Sequence, residues 1–139
     1  MAAYDVRDKV VFITGGARGI GAETARQLVA KGARVSLVGL EPELLEQRAA
    51  GLGAGAAWFE ADVTDSAALR AAADGTVERF GGIDVAIANA GIAAATPLAT
   101  VEEEVFDTIV RVNLGGVYRT IQATLPHVTE RSGYVIPVA

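Results

Sequence analysis

Five short runs of apolar and β-branched residues recur along the chain, separated by longer segments with apolar positions at helical spacing. The runs predict strands over residues 9–14, 34–39, 56–60, 83–88 and 134–138, and the segments between them predict helices over 19–31, 42–52, 65–80 and 101–125. In the third helix Leu69, Ala72, Ala73, Thr76, Val77 and Phe80 follow the 3.6-residue period of a single face. Pro42 suits a first helical position, where its missing N–H costs nothing. Thr100-Val101-Glu102-Glu103 has the form of a capping box that opens the fourth helix, and Pro126 is expected to close that helix. Gly51, Gly53 and Gly55 mark a turn between helix and strand rather than a domain boundary. Regular strand–helix alternation predicts an α/β fold: a doubly wound parallel sheet in three layers, with right-handed crossovers. The chain shows no internal repeat, low-complexity tract or linker, so residues 1–139 are taken as a single domain.

Composition narrows the classes open to such a fold. The chain is 51% hydrophobic with a mean hydropathy of +0.34, which suits a sheet buried on both faces. No stretch of 18 apolar residues occurs, so no membrane span is expected. The first nine residues carry Asp5, Arg7, Asp8 and Lys9 and lack the apolar segment of a signal peptide. Cysteine is absent and there is one histidine, which leaves no disulfide, no thiolate chemistry and no transition-metal cluster. The formal charge is −5 with basic residues scattered singly, which argues against nucleic acid as a partner. A cytoplasmic location is the expectation.

The candidate chemistry begins at Gly15-Gly16-Ala17-Arg18-Gly19-Ile20-Gly21, between the first strand and the first helix. A helix N-terminus offers unpaired N–H groups and a partial positive charge, and glycines let a pyrophosphate approach without meeting a Cβ. This strand–turn–helix predicts dinucleotide binding. Asp62 lies just past the third strand, where ligands bind in open α/β sheets; its other reading is a cap on the third helix, a role open to Asp65 as well. Asn89-Ala90-Gly91 follows the fourth strand and reads either as a cofactor-facing turn or as an ordinary Asn-x-Gly turn. Asn113, between apolar Val112 and Leu114, is the odd residue of its helix and needs partners if buried. Gly115 and Gly116 would loosen the helix there. His127, Trp58, Phe59 and the acidic run Glu102-Glu103-Glu104 suggest only local structural roles.

Thr14-Gly15-x-x-x-Gly19-Ile20-Gly21 resembles the cofactor motif of the short-chain dehydrogenase/reductase family. Asp62-Val63-Thr64, Asn89-Ala90-Gly91, Arg111-Val112-Asn113 and Gly133-Tyr134-Val135-Ile136 resemble further family segments, in order and at the right intervals, so the resemblance covers essentially the whole chain. It implies a Rossmann-like fold and hydride transfer between a nicotinamide and an alcohol or ketone. It also implies roles. Asp62 would accept from the adenine amino group while Val63 packs on the base. Asn89 would tie the turn to neighbouring strands, with Ala90 and Gly91 against the ribose. Asn113, the one member of the family's catalytic set present, would hold a water through its backbone carbonyl. The family's Tyr-x-x-x-Lys is missing: Tyr4, Tyr118 and Tyr134 are followed at four residues by Asp8, Gln122 and Val138. The family's serine would fall one position beyond Ala139. The chain is therefore expected to be the cofactor half of a longer enzyme, cut at the fifth strand and inactive alone. The family further implies a homodimer or homotetramer at full length, with the fourth helix in the interface.

Cofactor choice rests on two positions. A dinucleotide fold usually carries an acid about 20 residues beyond the glycine turn, which grips the ribose 2′-hydroxyl. Gly39 stands there instead, and Glu41 follows two residues later, too far or turned away. Arg18 could pair with a 2′-phosphate or be a solvated surface residue. NADP is placed slightly ahead of NAD. The competing reading of the whole chain is a complete, non-catalytic dinucleotide-binding module; an S-adenosylmethionine-dependent methyltransferase is more distant.

Overall fold

The computed structural model describes residues 4–138. Five strands and five helices follow in the order β1 (Val10–Thr14), α1 (Gly19–Ala30), β2 (Arg34–Gly39), α2 (Pro42–Leu52), β3 (Ala56–Glu60), α3 (Ser66–Phe80), β4 (Val85–Ala88), α4 (Glu103–Asn113), α5 (Gly115–Glu130) and β5 (Tyr134–Pro137). A 3₁₀ turn at Gly53–Gly55 joins α2 to β3. The sheet has the order β3-β2-β1-β4-β5 and every neighbouring pair is parallel. Ile13 of the central strand lies between Leu37 and Ile87.

The side-chain alternation of the strands divides the interior into two layers. Val11, Ile13, Val35 and Leu37 face α1 and α2, where Ala25, Leu45 and Ala49 complete one core. Phe12, Val38 and Ala86 face α3 and α5, where Leu69, Ala73, Ala123 and Val128 complete the other. All five residues of β1 are buried, as a central strand covered on both faces requires. Asp84 is a buried carboxylate that accepts the Val10 N–H at 2.9 Å and lies 3.5 Å from Lys9 Nζ, so it fastens the start of β1 to β4. No helix among the described residues is long and apolar enough to cross a membrane.

The second half of the chain corrects three expectations. The predicted helix over 101–125 is two helices, interrupted at Leu114. The glycine pair lowers helix stability at the break, and Gly116 lets α5 approach so closely that a Cβ there would stand 2.6 Å from a methyl of Val63. The capping box does not form. Thr100 is spent in a tight turn, with its N–H and hydroxyl both donating to the Pro97 carbonyl, and Glu102 becomes the N-cap of α4 without a side-chain hydrogen bond. Pro126 does not end its helix either: it sits inside α5, which runs on to Glu130. Pro126 is solvent-exposed, and a helix can bend there where its freed carbonyl meets water. His127 lies in the last turn of α5, where a basic side chain suits the helix end, 3.7 Å from Asp74 of α3. By contrast, Asp65 caps α3 by accepting from Ala67 and Ala68 N–H, which removes the capping alternative for Asp62.

Candidate functional site

The chain leaves β1 toward β2 on one side and returns to β4 on the other, so a crevice opens at the C-terminal ends of β1 and β4. Both sequence-predicted turns meet there. The turn after β1 is held in shape by φ of +67° at Gly15 and +52° at Gly19, a region that L side chains rarely enter. Gly21 is needed for a different reason: a Cβ there would press into the Gly15 carbonyl and the Asn89 amide. Gly19 has nothing within 4 Å of its Cβ position, so that side of the turn faces open space. The extended backbone of Arg18 forms the N-cap of α1, yet its side chain caps nothing and no acidic residue occupies the first turn. The leading N–H groups of α1, from Gly19 to Gly21, therefore present an uncompensated positive end to the crevice. Ile20, the next residue in the turn, is 70% exposed beside it.

Asn89 joins the two turns. Its Nδ2 donates to the Thr14 carbonyl at 3.1 Å and to the Gly15 carbonyl at 3.3 Å. The buried Thr14 hydroxyl in turn accepts from the Asn89 and Ala90 N–H groups. Gly91 follows, and Asn113 closes the outer end. Its Oδ1 accepts the Ile92 N–H and its Nδ2 donates to the Ile92 carbonyl, both at 2.8 Å. This exposed amide is thus fully engaged with the strand-end loop, while the carbonyl of Asn113, last residue of α4, has no partner that α4 itself can supply.

On the β2–β3 side the crevice continues as adjoining clefts of about 510 and 290 Å³. Gly39, Glu41, Asp62, Val63 and Val112 line them with the two turns. Asp62 Oδ1 accepts from the Thr64 N–H at 2.8 Å and from its hydroxyl at 2.7 Å. These bonds, helped by the more distant Arg111 and Arg119, hold the Asp62 carboxyl below its usual range, so it stays an acceptor. Its Oδ2 takes no hydrogen bond among the described residues.

Arg18 is neither free nor merely solvated. Its Nε lies 2.9 and 3.0 Å from the two Glu41 carboxylate oxygens, and its Nη2 lies 2.6 Å from Oε1. Glu41 thus faces Arg18 and lines the same cleft. A separation of 23 residues hides this pairing from local patterns. Sequence reasoning also missed Arg48 of α2, which donates to the Ala17 carbonyl at 3.3 Å and so braces the glycine turn from behind. The Thr64 contacts carried a readable signal, because Asp-x-Thr favours this local turn.

Comparison with known proteins agrees with this architecture. The family model described as short chain dehydrogenase matches residues 9–139. The chain belongs to the short-chain dehydrogenase family. It is 37% identical over 131 residues to the D-threitol dehydrogenase of Mycolicibacterium smegmatis, covering 92% of this chain and 50% of that protein. It is 40% identical over 139 residues to the levodione reductase of Leifsonia aquatica, covering 95% and 52%. Among solved structures, the 3-ketoacyl-(acyl-carrier-protein) reductase of Brucella melitensis complexed with NADH superposes with a TM-score of 0.86 at 34% identity, covering 90% of this chain and 52% of that one. The alcohol dehydrogenase of Thermococcus sibiricus complexed with 5-hydroxy-NADP gives 0.86 at 34% identity, covering 91% and 56%. The chain thus spans about half the length of these relatives.

Proposed function

We propose that this chain is the cofactor-binding part of an NAD(P)-dependent oxidoreductase that interconverts a small alcohol and its ketone. The observation that carries the reading is the convergence of two turns, after β1 and β4, laced by Asn89 at the point where the strand order reverses. An open, uncapped helix N-terminus beside Gly19 fits a pyrophosphate. Gly15, Gly19, Ile20 and Gly21 would hold the phosphates. Asp62 would accept from the adenine amino group through its free oxygen, and Val63 would pack on the ring. Ala90 and Gly91 would lie against the ribose, placed there by Asn89. The bound nicotinamide supplies a hydride donor or acceptor. Asn113 fixes the Ile92 backbone with its amide and would offer its own carbonyl to a water at the edge of the reaction site. Both dinucleotides are accepted, NADP slightly ahead, because Gly39 leaves no acid at the end of β2 and Arg18, although paired with the exposed Glu41, stands within the same cleft. At full length the protein would be a cytoplasmic homodimer or homotetramer.

Titration of the full-length protein with NADPH and NADH, followed by nicotinamide fluorescence, tests the reading. Gly19→Val would fill the open side of the turn, and affinity for both should fall more than about tenfold, above about 1.4 kcal/mol. Unchanged affinity in a folded Gly19→Val protein would overturn it.

A further inference from the structure

The Arg18–Glu41 pair bridges two helix starts. Arg18 is the N-cap of α1 and Glu41 the N-cap of α2, and both line the cleft with Gly39, Leu40, Ala90 and Gly91. The guanidinium fork meets both carboxylate oxygens. Among the described residues lining this cleft, that fork is the one group able to grasp a phosphate in the same bidentate manner, and while Glu41 holds it, its charge is cancelled. Gly39 leaves room beside the pair: a Cβ there would meet nothing closer than Leu45, at 3.7 Å.

We propose that Glu41 decides how this chain discriminates between the two nicotinamide dinucleotides, and that it does so by occupying Arg18. This rests on the nucleotide-binding reading given above. A 2′-hydroxyl carries no charge and leaves the pair intact, with Glu41 able to accept its proton as a hydrogen bond. A 2′-phosphate competes with the carboxylate for the same guanidinium and must displace it. The exchange is feasible because the pair is exposed, with side-chain accessibilities of 70% for Arg18 and 43% for Glu41, and such pairs are weakly held in water. Glu41 is thus a positioning residue that lowers selectivity for NADP without touching the reacting atoms. Neither Arg18 nor Glu41 alone predicts the preference; their coupling does.

A double-mutant cycle on the full-length protein reads this directly. NADPH and NADH affinities are measured for the wild type, Glu41→Gln, Arg18→Met and the double variant. Releasing Arg18 by Glu41→Gln should raise the NADPH-to-NADH affinity ratio. That rise should exceed the rise from the same substitution in the Arg18→Met background by at least about threefold. A merely structural role would move both affinities together and leave the ratio alone. An equal or larger rise without Arg18 would mean that Glu41 simply repels the phosphate, and would overturn the proposal. So would a ratio insensitive to Glu41. If the wild type binds neither dinucleotide, the nucleotide-binding reading falls as well, which separates that failure from failure of the Glu41 mechanism alone.

Discussion

Asn89 shows how much of the candidate site depends on single polar groups. Its amide donates to two backbone carbonyls, those of Thr14 and Gly15, and so ties the turn after β4 to the turn after β1. Asn89→Ala would leave both without this donor in a half-buried place, at a cost of about 1–3 kcal/mol, seen as a lower denaturation midpoint with weaker dinucleotide binding. Asp62 and Thr64 give a prediction in pH. The folded-state pKa of Asp62 is lowered, chiefly by the Thr64 N–H and then by the Thr64 hydroxyl. Its contribution to stability is therefore complete above the ordinary value of 3.8 and is lost as pH falls through the lower folded value. Thr64→Val keeps the N–H and removes the hydroxyl. The Asp62 carboxyl should then titrate at higher pH, which carbon-13 NMR of that group would register; an unmoved titration would count against the hydroxyl's role. Glycines at the site also differ in kind. Gly19 is free of neighbours and constrained by its φ, whereas Gly21 is constrained by contact.

At the scale of elements, the join between α4 and α5 is the informative feature. At this join the Asn113 amide pairs with both polar groups of Ile92, while Gly116, three residues on, packs closely against Val63. Gly116→Ala should force α5 and Val63 apart, costing about 1–3 kcal/mol by overpacking, and thermal unfolding would measure it. Because Val63 lines the cleft beside Asp62, the same variant should weaken adenine-nucleotide binding, tested with AMP. Prediction of one helix over 101–125 failed here because the glycine pair is a weak local signal. Its meaning depends on Val63, more than fifty residues earlier in the chain. Prediction of Pro126 as a stop failed because a single exposed proline bends a helix without ending it.

Over the whole molecule, the described residues leave apolar faces uncovered. No residue of α4 is buried, although Val105, Phe106, Val110 and the adjoining Leu114 are apolar and 38–68% exposed. Tyr134 and Ile136 of β5 are also exposed, while Val135 between them packs into the α3–α5 core. A helix that leaves Val105, Phe106 and Val110 exposed among the described residues is suited to a symmetric partner. Phe106→Glu in the full-length protein should shift the mass in light scattering from oligomer toward monomer; a monomeric wild type at micromolar concentration would refute the oligomer proposal.

Sequence alone determined the succession of strands and helices, the parallel α/β class and the position of the glycine turn. These are properties of period and local conformation, which neighbouring residues carry. It also located Asp62, Val63, Asn89, Ala90, Gly91 and Asn113 at strand ends and on one helix, where the structure finds them beside the same crevice or at its rim. Tertiary structure decided the rest: the strand order, the anchoring of Asn89 on two carbonyls, the bracing of the turn by Arg48 and the break at Leu114. Above all it decided that Arg18 and Glu41 neutralise each other. Each of these joins groups far apart in the chain, and their distance in space is set only when the sheet brings β1, β2 and β4 side by side.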